Sequence, residues 1–119
     1  MGNHDLVVGE VDEIEIQDGF FDYFEKYNLK TSRIILPARL SEEEREKIKK
    51  TALEIYKILG CSGFARVDMF YTKSKKIVFN EVNTIPGCTS HSRYPSMLKE
   101  IGFSFEEVIE RLIESGWEK

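Results

Sequence analysis

Residues 66–83, RVDMFYTKSKKIVFNEVN, read as two strands around a lysine-rich turn, with an arginine, two acids and an asparagine where a sheet usually buries apolar side chains. Alternate side chains of a strand share a face, so Phe64, Arg66, Asp68 and Phe70 lie together, as do Phe79, Glu81 and Asn83. The opposite faces, Ala65, Val67, Met69 and Tyr71 with Val78 and Val82, read as core. If the turn is centred between Ser74 and Lys75 with an even length, Asp68 faces Glu81 and Arg66 faces Asn83. A slip of one residue would break that alignment.

Two directly opposed carboxylates destabilise a sheet by up to roughly 1 kcal/mol unless something lies between them. Two answers are open. Arg66, diagonal to Glu81, can close a salt-bridge cluster on a solvated face. Alternatively a divalent cation sits there, because Asp, Glu and Asn oxygens suit Mg²⁺, which keeps waters and shares its shell with substrate phosphates. Asp68, Glu81 and Asn83 supply only part of an octahedron, and a nucleotide could complete it. The hairpin runs on into NTIPG, where Pro86 stiffens the exit and Gly87 can adopt backbone angles closed to other residues. That is either an ordinary turn or, beside a metal site, a loop whose Gly87 N–H could hold a developing oxyanion, with Arg66 opposing the same charge from the sheet side.

Outward from the hairpin, Ser41 and Glu44 form a capping-box pair, and Ile48, Ala52, Ile55, Tyr56 and Leu59 recur at helical spacing up to Gly60. Ser104 and Glu107 repeat the signal before a C-terminal helix with Val108, Leu112 and Ile109 directed inward. The stretch between, TIPGCTSHSRYPSMLKEIG, reads as a Gly- and Pro-punctuated loop followed by a short helix from Ser96. Residues 6–16 alternate as a strand with one solvated face, and RIILPA is strand-like. Residues 17–32 between them are dense in aromatics without helical periodicity and read as a loop, a kind of segment that is often functional. Strand, loop, strand, helix, hairpin, loop and helices do not alternate regularly, so the expectation is one α+β domain over 1–119, an antiparallel sheet with helices packed on one side.

Composition narrows the function classes. The 119 residues are 41% hydrophobic and 32% charged, which suits one globular unit with a modest core. A net charge of -4 with interspersed signs lacks the basic footprint of a nucleic-acid binder. No apolar run approaches the roughly 20 residues that cross a bilayer. The start, MGNHDLVVGE, has no secretory pattern, and Leu6 breaks the myristoylation pattern, so a cytoplasmic protein without membrane attachment is expected. Cys61 and Cys88 have no metal-ligand spacing and read as free thiols. His4 and His91 are expected to have no catalytic role.

GCSGFARVDMFYT followed by IVFNEVNTIPGCTSHSRYP, together with FFDYFEKY and LPARLSEEE, resembles the C-terminal part of the D-alanine:D-alanine ligases of the ATP-grasp superfamily. The pattern R-x-D, a strand-length gap, then N-E-x-N-T-x-P-G-x-T-S-x-S is long and ordered, and its detail is most similar to the glycopeptide-resistance ligases of the D-alanine:D-serine type. The resemblance implies that Asp68, Glu81 and Asn83 bind two Mg²⁺ ions, for which Mn²⁺ can substitute, bridging ATP phosphates with Glu81 shared. It implies that Arg66 and the Gly87 N–H stabilise the tetrahedral intermediate and that Ser92 contacts the second substrate's carboxylate. Lys26 matches a lysine near the transferred phosphate, and Tyr27 matches a loop tyrosine that closes the site. Many family members have leucine where this chain has Arg93.

The implied reaction is phosphorylation of a D-alanine carboxylate by ATP, then attack of a second D-amino acid's amino group on the acyl phosphate. Positioning and charge neutralisation dominate such phosphoryl transfer, so no protein nucleophile is required. Tyr27 stands where lactate-type resistance ligases usually carry histidine, so a peptide bond is expected, with D-serine the first choice for the second substrate and D-alanine the next. The resemblance covers a C-terminal portion only: no Gly/Ser-rich phosphate loop or second lysine-bearing strand is present in the sequence. A fragment inactive alone is therefore expected, lacking the N-terminal substrate domain and the ATP lid. Parent enzymes of the family are homodimers; the fragment's own state stays open. A free-standing nucleotide- or metal-binding module, or a structural or dimerising domain whose acids form salt bridges, are the alternatives.

Overall fold

The computed structural model describes residues 1–16 and 32–118. The aromatic stretch read as a loop, with Lys26 and Tyr27, lies outside them. The described elements are β1 (Glu13–Ile16), β2 (Ser32–Ile35), α1 (Glu42–Ile58), β3 (Arg66–Tyr71), β4 (Ile77–Asn83), α2 (Arg93–Lys99) and α3 (Phe105–Trp117). The architecture is α+β with antiparallel pairing throughout, as expected.

Among the described residues the strands form two separate ribbons, β1–β2 and β3–β4, rather than one sheet. The first strand is also shorter than the alternation suggested. Residues 6–12 give their backbone groups to scattered partners: the Val7 N–H donates to Met1 O, the Glu10 N–H to Met97 O, and Val11 O accepts from the Ala38 N–H. A segment that spends its hydrogen bonds on several different elements cannot also form a ladder.

Both capping boxes form. The Ser41 hydroxyl accepts from the Glu44 N–H and Glu44 accepts from the Ser41 N–H, and Ser104 and Glu107 do the same at α3. Ile48 and Tyr56 of α1 are buried, with Ala52 and Ile55 half-buried. Leu59, expected inward, is 57% exposed because it is the C-cap, and Gly60 at φ +67° then turns the chain away. Helix α2 begins at Arg93, three residues before the expected start, with Pro95 inside its first turn. The first-turn N–H groups of a helix have no intrahelical partner, so proline there removes nothing and reads only from sequence as a breaker.

The core is a cluster of Met1, Tyr94, Leu98 and Val108, against which Val7, Phe64, Phe103 and Leu112 pack. Phe64 meets Tyr94 edge-on, with centroids 5.5 Å apart. Residues 1–3 are stitched into this centre: Tyr56 Oη donates to Gly2 O at 2.7 Å, Asn3 Nδ2 to Ser115 O at 2.9 Å, and the Gly63 N–H to Asn3 Oδ1 at 2.9 Å. These bonds fix the loop from which β3 departs, and hence the base of the hairpin.

Candidate functional site

The hairpin base has the register that the polar residues suggested. Arg66 pairs with Asn83, Val67 with Val82, and Asp68 directly with Glu81. Beyond that point the register shifts by one, because Asn80 is a bulge residue and Met69 pairs with Phe79, Phe70 with Val78, Tyr71 with Ile77. The turn is consequently the five residues Thr72–Lys76 rather than an even loop, closed by the Thr72 N–H to Lys76 O at 3.0 Å. The bulge corrects the expected faces: Phe79 lies with Val67 and Met69, not with Glu81 and Asn83, and Val78 joins Phe70 on the side of the acids. Val78, expected in the core, is 41% exposed on the side of the acids, and Phe79, brought beside Met69 by the bulge, is 49% exposed.

The opposed acids are partly neutralised from within the strand. Arg66 grips Asp68 bidentately along β3, Nε to Oδ1 at 2.9 Å and Nη2 to Oδ2 at 3.0 Å, and the Glu81 charge acts on it as well. Hydrogen bonding to Asp68 raises the guanidinium's already high pKa, burial opposes that, and the charges of Asp68, Asp12 and Glu81 add to the rise. Arg66 is thus a fixed cation at the centre of an acidic surround.

Asn83 leaves the hairpin with Oδ1 accepting from the Ile85 N–H at 3.0 Å, an Asx turn that starts the loop to α2. Pro86 is buried and anchors that loop. Gly87 was expected to exploit a conformation reserved for glycine, yet its φ is not among the positive ones. Its requirement is spatial: a Cβ there would stand 3.2 Å from Ser92 Oγ. Gly87 and Ser92 are therefore neighbours. Ser92 Oγ accepts from the Thr89 N–H at 3.0 Å and lies 2.7 Å from Thr89 Oγ1.

One open cleft is lined by Arg66, Asp68, Glu81 and Asn83 together with Asp12 and Arg93, whereas Gly87 and Ser92 are not among its lining residues. Sequence reasoning missed Asp12. Arg93 donates to it through Nε at 2.9 Å and Nη2 at 2.7 Å, and the Asp12 side chain is only 3% exposed. The departure from leucine at Arg93 was the available signal; nothing in GEVDEIE marks which acid answers it.

Asp68, Glu81 and Asn83 offer hard oxygens at directly opposed and adjacent positions of one face, which fits Mg²⁺ in chemistry. Asp68 is shared with Arg66, and a carboxylate's several lone pairs allow that. Among the described residues no group of three His, Cys, Asp or Glu gathers as a metal site, so Asn83 and phosphate oxygens would be needed to complete a shell.

Residues 1–114 match the family model described as D-ala D-ala ligase C-terminus. The chain belongs to that family. Among relatives of this ligase family, it is 45% identical over 113 residues to the vancomycin C-type resistance protein VanC2 of Enterococcus casseliflavus, covering 95% of this chain and 32% of that protein. It is 44% identical over 115 residues to a D-alanine–D-alanine ligase of Chlorobium phaeovibrioides, covering 96% of this chain and 32% of the relative. The crystal structure of the VanG D-Ala:D-Ser ligase from Enterococcus faecalis superimposes with a TM-score of 0.84 at 62% identity, over 95% of this chain and 33% of that one. The chain thus spans about a third of the length of the ligases it matches. No described helix is long and apolar enough to cross a membrane.

Proposed function

We propose that these 119 residues are the C-terminal catalytic portion of an ATP-dependent D-alanine:D-serine ligase that makes a dipeptide for peptidoglycan precursors through an acyl phosphate. The observation that carries the reading is the pairing of Asp68 with Glu81 beside Arg66 and Asn83 on one face of the hairpin. D-serine is favoured over D-alanine by the 62% identity to a D-Ala:D-Ser ligase. The relatives named for vancomycin resistance and for D-alanine–D-alanine ligation, at 45% and 44%, do not discriminate.

In this reading Asp68, Glu81 and Asn83 would hold two Mg²⁺ ions, whose charge would neutralise that of the phosphates. Arg66, fixed by Asp68, presents its positive charge to the tetrahedral intermediate, and the Gly87 N–H donates to the same oxyanion. Ser92 donates to the carboxylate of the second amino acid. Lys26 approaches the transferred phosphate and Tyr27 closes the site. The first D-alanine site and the cover over ATP belong to the remaining two-thirds of the ligase, so the 119-residue chain alone is inactive.

The test is a chimera in which these residues replace the matching third of the VanG ligase. Offered ATP, D-alanine and equal D-serine, it should form D-alanyl-D-serine in excess over D-alanyl-D-alanine. The reverse excess would assign the chain to the D-alanine:D-alanine class. A chimera that folds and binds ATP but joins neither pair would favour a non-catalytic nucleotide-binding module.

A further inference from the structure

Among the described residues three serines stand at helix N-caps, and they differ in what their hydroxyls bond. Ser41 and Ser104 accept from the N–H three residues on, closing capping boxes. Ser92, in the same extended backbone conformation at φ -76° and ψ 155°, makes no such bond, because the residue three on is Pro95 and has no N–H to give. Its hydroxyl is turned backwards, to Thr89: the Thr89 N–H donates to Ser92 Oγ at 3.0 Å and Thr89 Oγ1 lies at 2.7 Å. The two residues are also tied through the Ser92 N–H to Thr89 O at 3.1 Å.

The arrangement has a specific chemical consequence. A serine hydroxyl has one proton to give and two lone pairs to fill. The Thr89 N–H fills one lone pair. Either hydroxyl can supply the proton between the two oxygens. A carboxylate placed before Ser92 can only accept, so it would claim the serine proton and leave Thr89 Oγ1 to donate into the second lone pair. The His91 N–H, 3.4 Å from Thr89 Oγ1, faces an acceptor lone pair of the threonine, in keeping with that direction. Gly87, with no Cβ, leaves the Ser92 hydroxyl uncrowded on its side.

We infer that Thr89 is a positioning residue for the second substrate: by filling both lone pairs of Ser92 Oγ it makes that hydroxyl a dedicated donor to the incoming amino acid's carboxylate. The inference rests on the proposed contact between Ser92 and that carboxylate.

The experiment uses the VanG chimera with Ser92→Ala, Thr89→Val, Thr89→Ser and the Ser92→Ala/Thr89→Val double variant, reading kcat and KM for D-serine and KM for ATP. Thr89→Val keeps the backbone donor and deletes the hydroxyl. It should raise KM for D-serine by about tenfold, the factor matching loss of one hydrogen bond, while kcat and KM for ATP stay within about twofold. Thr89→Ser should restore the parent KM, and the double variant should be no worse than Ser92→Ala alone, because both changes remove one interaction. A raised KM in Ser92→Ala with none in Thr89→Val would overturn the role of Thr89 while leaving the Ser92 contact intact. No effect of Ser92→Ala would overturn the carboxylate contact itself, and the role of Thr89 with it. Additive losses in the double variant, or Thr89→Ser as impaired as Thr89→Val, would show a structural effect instead.

Discussion

Asp12 and Arg93, 81 positions apart in the chain, are joined by two hydrogen bonds of 2.9 and 2.7 Å between a carboxylate that is 3% exposed and a guanidinium that is 23% exposed. The pair ties the segment leading into β1 to the first turn of α2, immediately after Ser92. Breaking one side of a buried pair leaves a charge without its partner, and Arg93→Leu should therefore cost about 3 kcal/mol, the lower end of the usual range because the arginine keeps some solvent. The Asp12→Leu/Arg93→Leu double variant should recover most of that loss. Thermal midpoints of the single and double variants check this; losses that simply add would mean the two side chains do not act as a pair.

The helix caps give an internal comparison. Ser41→Ala and Ser104→Ala each remove a capping box and should lower stability by about 1 kcal/mol, or roughly 4 °C in midpoint for a domain of this size. Ser92→Ala loses no capping bond but does lose the two contacts with Thr89, so its cost should shrink in a Thr89→Val background while those of Ser41→Ala and Ser104→Ala stay unchanged. A cost of Ser92→Ala that does not depend on residue 89 would contradict the distinction drawn between them.

Gly87→Ala introduces a Cβ 3.2 Å from Ser92 Oγ without demanding an unusual φ. The Ser92 hydroxyl must give by a few tenths of an ångström, so the chimera should show a higher KM for D-serine at an almost unchanged midpoint. A fall in midpoint of several degrees with unaltered KM would place the role of Gly87 in the fold rather than the site.

Made as a 119-residue polypeptide, the chain should weaken in mild acid. The Met1 ammonium donates to Val7 O at 2.8 Å within the core, and burial lowers its pKa from 8.0 to about 6. The folded state therefore disfavours the charged form. Stability is full above pH 8, where the amine is neutral in both states, and falls as pH drops towards 6, below which this contribution is lost. The shift corresponds to about 2 to 3 kcal/mol. Acetylation of the amine should flatten the midpoint between pH 8.5 and 5.5; an equal decline in the acetylated chain would assign it to other groups.

Much of this was legible from residue type and spacing because the signals are local. Serine followed by glutamate three residues on specified both capping boxes, and Gly60 specified where α1 stops. The opposition of Asp68 and Glu81 was also legible, since a period of two leaves few registers that put polar groups on one face. The Asn80 bulge was not, because an extra residue in one strand leaves the run of strand residues unbroken and shows only in the pairing with the partner strand, and it moved Phe79 to the other face. Pro95 misled as a breaker because the rule against proline lapses in a first turn. The Asp12–Arg93 pair escaped because long-range pairing depends on how distant segments converge, which no short pattern encodes.

The central claim is that the hairpin carboxylates serve the ligation chemistry, and Glu81→Gln tests it most directly. The substitution keeps size and hydrogen-bonding capacity while removing the charge opposite Asp68. In the VanG chimera it should reduce ATP-dependent formation of D-alanyl-D-serine by at least about a hundredfold, with the midpoint retained. Ligation within about threefold of the unsubstituted chimera would contradict the assignment and return the acid cluster to a purely structural role.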